Sequence, residues 1–258
     1  MLNSIRVDIA RLLATKGYVV MMMVVSILYP GTLMGMLWGL YRLLHIKESY
    51  ACSMNDFTGY GNMAAFFLAI MLTSYLHTEI EDGMLRNKII FGKRRLMITA
   101  SYCVVAALIA IVMQVCAMLS TAGTAAILGM EFEDALLGTM VRYAIVVTGA
   151  GIVVAIFLTM MYLLFCNTKL AAVIPAAIAI ITKLLSVEVL DKLYPKEGEC
   201  TMTGIRLAMY TVFDRYNPFS YLLGELRWEN ESYIIGCMVF LICSLVIGGI
   251  AFSRKDLK

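Results

Sequence analysis

Charge is scarce in this chain: 15% of its 258 residues are Asp, Glu, Lys or Arg, against roughly 25% in a soluble domain. With 61% hydrophobic residues, that shortage excludes an ordinary soluble fold. The net charge of +3 is small and its basic residues are scattered, so no nucleic-acid partner is indicated. Histidine is nearly missing, and His45 and His77 stand too far apart to make a site. The seven cysteines contain no C-x-x-C pair, which removes the common zinc and redox patterns. There is also no G-x-x-x-x-G-K-[ST], no H-E-x-x-H and no G-x-S-x-G, hence no phosphate cradle, zinc pair or serine elbow. The chain carries no catalytic, metal or cofactor motif of its own, and energy from ATP has to come from another polypeptide. An intramembrane enzyme is disfavoured too, because no apolar run holds a cluster of acid, base and nucleophile.

What the chain has instead is long apolar runs. Tyr18 to Tyr41 is 24 residues, enough to cross a bilayer core that needs about 20 and too long for the ~7–15 of a signal-peptide core. Pro30, Gly31, Gly35 and Gly39 lie within it, a composition that permits a kink and close helix approach. Further runs are Phe57 to Thr78, Leu96 to Met130, Tyr143 to Thr168, Leu170 to Val187 and Ser232 to Ser253. The third, at 35 residues, reads as one crossing that projects beyond the bilayer. Ahead of them, Leu2, Ile5, Ile9, Leu12 and Leu13 share a helical face with Arg6, Asp8, Arg11 and Lys16 elsewhere, an amphipathic helix over residues 1–17 that suits the membrane surface.

These runs predict an all-α integral membrane bundle of six transmembrane helices, a single transmembrane domain over residues 1–258. Residues 188–231 form its one sizeable hydrophilic stretch. Too small to hold a core alone, it is expected outside the membrane as short re-entrant or interfacial helices before the last span. With the amino terminus inside, twelve of the 21 basic residues fall on inner segments and thirteen of the 18 acidic ones on outer segments. Both termini are then cytoplasmic in a multi-pass protein of the cell membrane. Cys52 and Cys200 both fall outside, where a bridge and two free thiols are alternatives. Lys183, inside the fifth run, reads either as a functional residue or as a lysine snorkelling from the end of its span.

The most concentrated charge is Glu79 to Arg95, EIEDGMLRNKIIFGKRR, between the second and third runs. A helix starting near Glu79 would put Glu79, Glu81 and Asp82 in its first turn and Arg86 and Lys88 nearer its end, each sign favoured by the helix dipole. Asp82 and Arg86 would form an i,i+4 pair, and Gly92 would end the helix in the left-handed region. A plain cytoplasmic connector whose charges fix topology is the competing reading of the same residues.

The layout of amphipathic helix, six spans, charged segment after the second span and basic tail resembles the permease subunit of a type-2 ABC exporter. Glu79, Glu81, Gly83, Leu85, Lys88, Gly92 and Arg95 are similar to that family's pattern for the loop after the second span. Asn217-Pro218-Phe219 is similar to a turn in its outer helices. Met84 departs from a frequent threonine, and the lysine often found early in the third span is missing. The resemblance implies that Glu79, Glu81, Asp82, Gly83, Leu85, Arg86, Lys88, Gly92 and Arg95 contact an ABC ATPase subunit, which holds the ATP and magnesium. It also implies that a second permease copy, identical or related, pairs with this one. The first, second and fifth spans would then line the cargo path, with Met34, Met63, Met71 and Lys183 along it. Length and loop design look like small permeases that export amphipathic peptides or confer immunity. A membrane immunity or scaffold protein that transports nothing is the alternative.

Overall fold

A computed structural model describes residues 2–44, 51–52, 57, 63–132, 137–166, 170–195, 203–222 and 231–253. The Cys52–Cys200 pairing, the turn at Asn167 and Lys169, and the basic residues after Ser253 lie outside the described residues. Among the described residues the regular structure is helical apart from one two-residue parallel bridge, Ala51–Cys52 (β1) to Glu131–Phe132 (β2).

Helix α1 (Leu2–Ala14) is followed by a long helix in three parts: α2 (Lys16–Met23), a π-helical turn (Val24–Leu28) and α3 (Tyr29–Leu43). The wide turn sits just before Pro30, the residue that cannot donate to the carbonyl four positions back. The loosened backbone is anchored from outside, where Ser120 Oγ donates to the Ile27 carbonyl at 2.6 Å. The predicted irregularity at Pro30 is therefore present as a π-bulge.

Next come α4 (Ala64–Glu81), α5 (Met84–Ile90) and α6 (Arg95–Leu128). Helix α6 has 34 residues, about 51 Å at 1.5 Å per residue. That is well beyond a ~30 Å hydrocarbon core, and the single projecting helix expected from the long run is what forms. Then follow α7 (Leu137–Phe165), α8 (Val173–Leu193), the short pair α9 (Ile205–Tyr216) and α10 (Pro218–Tyr221), and α11 (Glu231–Ser253).

Among the described residues, five helices are long and apolar enough to cross a membrane: Lys16–Leu43, Arg95–Leu128, Gly138–Phe165, Val173–Leu193 and Ser232–Ser253. This is a multi-pass membrane protein. Helix α4 is not among the five, because its 18 residues include Thr73, Ser74, His77, Thr78, Glu79 and Glu81. Its packing is nonetheless central. Ala65, Leu68, Ala69, Leu72 and Leu76 are buried, and they join one continuous core with Ile98, Val105 and Ile109 of α6 and Ala150, Val154 and Leu158 of α7. Small residues such as Ala69, Ala117, Ala150 and Ala155, all 0% exposed, let these helix backbones approach closely, the usual way that membrane helices gain dispersion energy.

The outer helices are less enclosed. In their most apolar windows, Lys16–Leu43 is 17% buried and Val173–Leu193 and Ser232–Ser253 are each 22% buried, whereas Arg95–Leu128 and Gly138–Phe165 reach 50% and 56%. Helices α6 and α7 are thus the centre of the bundle. Lys16–Leu43, Val173–Leu193 and Ser232–Ser253 present their flanks to whatever surrounds it.

Candidate functional site

The segment from Glu79 to Arg95 does not start a helix at Glu79. Helix α4 runs on to Glu81, Asp82 is its C-cap, and Gly83 takes φ +69° in the left-handed region. Its N–H reaches back to the Ile80 carbonyl at 3.0 Å, so the acidic residues sit at the end of a helix, where the dipole opposes them. The reason is upstream: the buried face of α4 runs from Ala64 through Leu72, Tyr75 and Leu76 to Glu79, and the first residue able to turn the chain cheaply is Gly83. Asp82 and Arg86 consequently belong to different helices. The predicted stop at Gly92 is present, at φ +75°.

The turn at Gly83 folds α5 back against the end of α4 and brings Lys88 beside Glu79. Lys88 Nζ donates to Asp8 Oδ1 at 2.8 Å, Glu79 Oε2 at 3.0 Å and Tyr102 Oη at 3.2 Å, which uses all three donors of an ammonium. It also lies 4.4 Å from the centroid of the Tyr102 ring. Asp8 is completely filled, its second oxygen accepting from Ser101 Oγ at 2.6 Å. Glu79 accepts further from Tyr102 Oη at 3.2 Å and pairs with Arg11 Nη1 at 3.6 Å. Asp8 is 0% exposed, Glu79 5% and Lys88 7%. Two carboxylates and two cations, Lys88 and Arg11, make the group neutral overall, which is the condition for keeping charge away from water.

This cluster joins four elements through residues as much as 93 positions apart: α1 through Asp8 and Arg11, α4 through Glu79, α5 through Lys88 and α6 through Ser101 and Tyr102. A fifth attachment closes the segment. Arg95 Nη1 donates to the carbonyls of Phe252 at 3.3 Å and Ser253 at 2.9 Å, placing a cation on the unsatisfied end of α11, where both the free carbonyls and the dipole favour it.

Of the residues expected to face a partner, Glu79, Leu85 and Lys88 are buried within the chain, while Glu81, Asp82, Arg86 and Gly92 are exposed and Gly83 and Arg95 are half-buried. The outward face also carries Asn87, Lys93 and Arg94, with Ile90 70% and Phe91 84% exposed. Periodicity gave Ile90 and Phe91 no distinction from any other apolar pair.

Asp8, Arg11, Ser101 and Tyr102 are the site residues that the sequence reading passed over. Asp8 was set on the polar side of the first helix, yet it lies roughly 40° around the helix from Leu12 at 100° per residue. It sits at the margin of the apolar arc, so the face that packs inward contains Asp8 and Leu12, while Leu13 is 64% exposed. A carboxylate at that margin, together with a Ser-Tyr pair in an otherwise apolar stretch, was the available signal.

Two cavities flank the cluster. One, of about 240 Å³, is bordered by Val7, Asp8, Asn87, Lys88 and Phe91. The other, of about 280 Å³, is bordered by Arg11, Thr15, Tyr18, Tyr75, Glu79 and Asp82. The residues expected along a cargo path are dispersed. Met34 and Met71 are each 1% exposed, Met63 is 40% exposed, and Lys183 Nζ lies 3.3 Å from Met63 Sδ. Lys183 and Met63 therefore meet, whereas Met34 and Met71 belong to packed interior.

At the other end of the bundle, Asn217 caps α10. Its side-chain oxygen accepts from the Phe219 N–H at 3.2 Å and its amide donates to Ser186 Oγ at 3.1 Å. Pro218 fills the first helical position, where a missing N–H costs nothing. The Asn-Pro-Phe stretch is thus a capped break between α9 and α10, locked to α8.

Among the described residues, no group of three or more His, Cys, Asp or Glu could hold a metal ion. Compared with known proteins, the chain matches no family model, no curated protein and no solved structure.

Proposed function

We propose that the chain is the transmembrane permease subunit of an ATP-driven exporter of the type-2 ABC kind. In this reading α4 is a sixth crossing, both termini and residues 79–95 are cytoplasmic, and the short helices α9 and α10 lie in the outer interface. The observation that carries it is the mounting of α5. The helix is fixed inward to α1, α4 and α6 by the Lys88 cluster, Arg95 at the start of α6 is fixed to α11, and the outward face of α5, with Arg86, Asn87 and Ile90, is exposed. A lever needs both properties, firm attachment to what it moves and a free surface for what moves it.

The division of labour within the segment follows from burial. Glu79, Leu85 and Lys88 transmit, and Glu81, Asp82, Arg86, Phe91, Gly92, Lys93 and Arg94 form the surface offered to a separate ATPase. Exposed aromatic and arginine side chains are the residue types that dominate interface energies. Nucleotide binding on that partner supplies the energy difference between two states that a conformational change requires. Two copies, identical or related, pair through the least enclosed helices, the first and fifth, and an amphipathic or hydrophobic cargo, most simply a peptide, passes outward between them. Exposed Met23 and Met36 on the first helix, at 55% and 76%, give that surface a soft, adaptable character.

The test is the double variant Arg86→Glu, Phe91→Ala in cells and in proteoliposomes. Because both side chains are exposed, the melting temperature is expected to stay within a degree or two, while copurification of the ATPase and peptide-stimulated ATP hydrolysis are lost. Retained transport would overturn the docking face. Failure of the unaltered chain to copurify with any ATPase would instead indicate a membrane immunity or scaffold protein.

A further inference from the structure

The 280 Å³ cavity beside the ion cluster has no role in the mounting of α5. It is far larger than the ~10–15 Å³ that one water needs, and its lining is unusual for the end of a membrane bundle. Tyr75 borders it, is 4% exposed, and has a buried hydroxyl without a hydrogen-bond partner. A buried hydroxyl in that state loses its hydration without a replacement, so a partner absent from the protein itself is expected for it. Arg11 borders the same space, and its buried Nη1 makes no hydrogen bond, standing 3.6 Å from Glu79. Glu79 already receives Lys88 and Tyr102, which leaves Asp82, exposed at the C-cap of α4, as the uncommitted carboxylate. Thr15, also exposed, borders the space as well.

One part of the cavity is therefore bordered by Arg11 and Tyr75, each with a buried nitrogen or hydroxyl that makes no hydrogen bond, and another part by the exposed carboxylate of Asp82. An anion alone would meet two carboxylates, and a cation alone would meet Arg11. A zwitterion satisfies both. The cavity also lies where the candidate span beginning at Lys16 meets the amphipathic helix α1, the level at which lipid headgroups sit. From these facts we infer that this cavity is a binding site for a phosphoethanolamine headgroup, its phosphate on Arg11 and Tyr75 and its ammonium on Asp82, carried by a phosphatidylethanolamine of the surrounding leaflet. The assignment stands independently of any ATPase partner.

The experiment uses the full chain in mild detergent, supplemented with phosphatidylethanolamine, phosphatidylcholine or phosphatidylglycerol of the same acyl chains, or with free phosphoethanolamine. Native mass spectrometry and thermal unfolding are the readouts. Phosphatidylethanolamine is expected to be retained about tenfold more strongly than phosphatidylcholine, whose trimethylated ammonium cannot donate to Asp82, since one charge-assisted hydrogen bond is worth roughly that ratio. Tyr75→Phe removes a hydroxyl that no protein atom holds, so its lipid-free stability is expected unchanged or raised, while its retention of phosphatidylethanolamine and phosphatidylcholine falls alike, because both carry the phosphate that Tyr75 holds. Asp82→Asn, at an exposed position, is expected to erase the distinction between the two lipids. Equal retention of all three lipids would overturn the assignment, as would stabilisation by free phosphoethanolamine alone. So would a Tyr75→Phe protein that retains phosphatidylethanolamine as strongly as the parent, which would leave a cavity that holds water only.

Discussion

Two buried polar groups, one toward each end of the bundle, are built in opposite ways. At one end the Lys88 cluster is ionic: four charged side chains from three helices share one site with Ser101 and Tyr102. At the other, Asn217, Ser186 and Ser220 make a neutral group, with Ser186 0% exposed and Asn217 and Ser220 at 8% and 6%. The neutral group is local in its consequences, since each member has another bond or could tolerate the loss of one. The ionic group is not, because withdrawing a single member strands a charge that the low-dielectric surroundings cannot stabilise. Ionic burial ties the elements it joins into one body. Neutral burial only fixes a turn.

The sharpest way to break that contrast is Lys88→Met. It leaves buried Asp8 without its cation and Glu79 with Arg11 alone, at 3.6 Å, and a loss of about 3–5 kcal/mol is expected, read as a drop in melting temperature in detergent. The triple change Asp8→Asn, Glu79→Gln, Lys88→Met should recover most of that loss. A single Lys88→Met variant as stable as the parent would show that the cluster is not a unit.

A smaller effect is expected at Gly236, where a Cβ would come within 2.7 Å of both the Cα and the carbonyl oxygen of Tyr216. Backbone cannot step aside as a side chain can, so Gly236→Ala has to separate α9 from α11, at about 1–3 kcal/mol. Protease accessibility around residues 203–222 should rise in that variant, while the Lys88 end stays protected. Increased cleavage at both ends would mean that they are mechanically joined.

The smallest effect belongs to the neutral end. Asn217→Ala removes the cap of α10 and the bond to Ser186, for which about 1 kcal/mol is expected. Asn217→Ser or Asn217→Asp should restore most of it. A loss as large as that of Lys88→Met would erase the distinction between the two ends.

Much of the architecture could be read from the residues in order. Long apolar runs need a nonpolar solvent whatever their packing, so five candidate spans, the single overlong third helix, the irregularity at Pro30 and the stop at Gly92 all follow from local composition. The second span was legible as a run, yet the helix that forms there is shifted toward its polar end, Ala64–Glu81. Packing of α4 against α7 and α8, with Glu79 held by Lys88 and Tyr102, outweighed the charge signal that suggested a new helix at Glu79.

The sequence by itself determined that this chain lives in a membrane and that its charge is concentrated between Glu79 and Arg95, since transfer from water depends only on the residues transferred. Only the tertiary structure decided which of those charges turn inward. Whether Asp8 meets Lys88 across 80 positions depends on the Gly83 turn and on the rotation of α1 about its axis, and neither is recorded in any local pattern of residues.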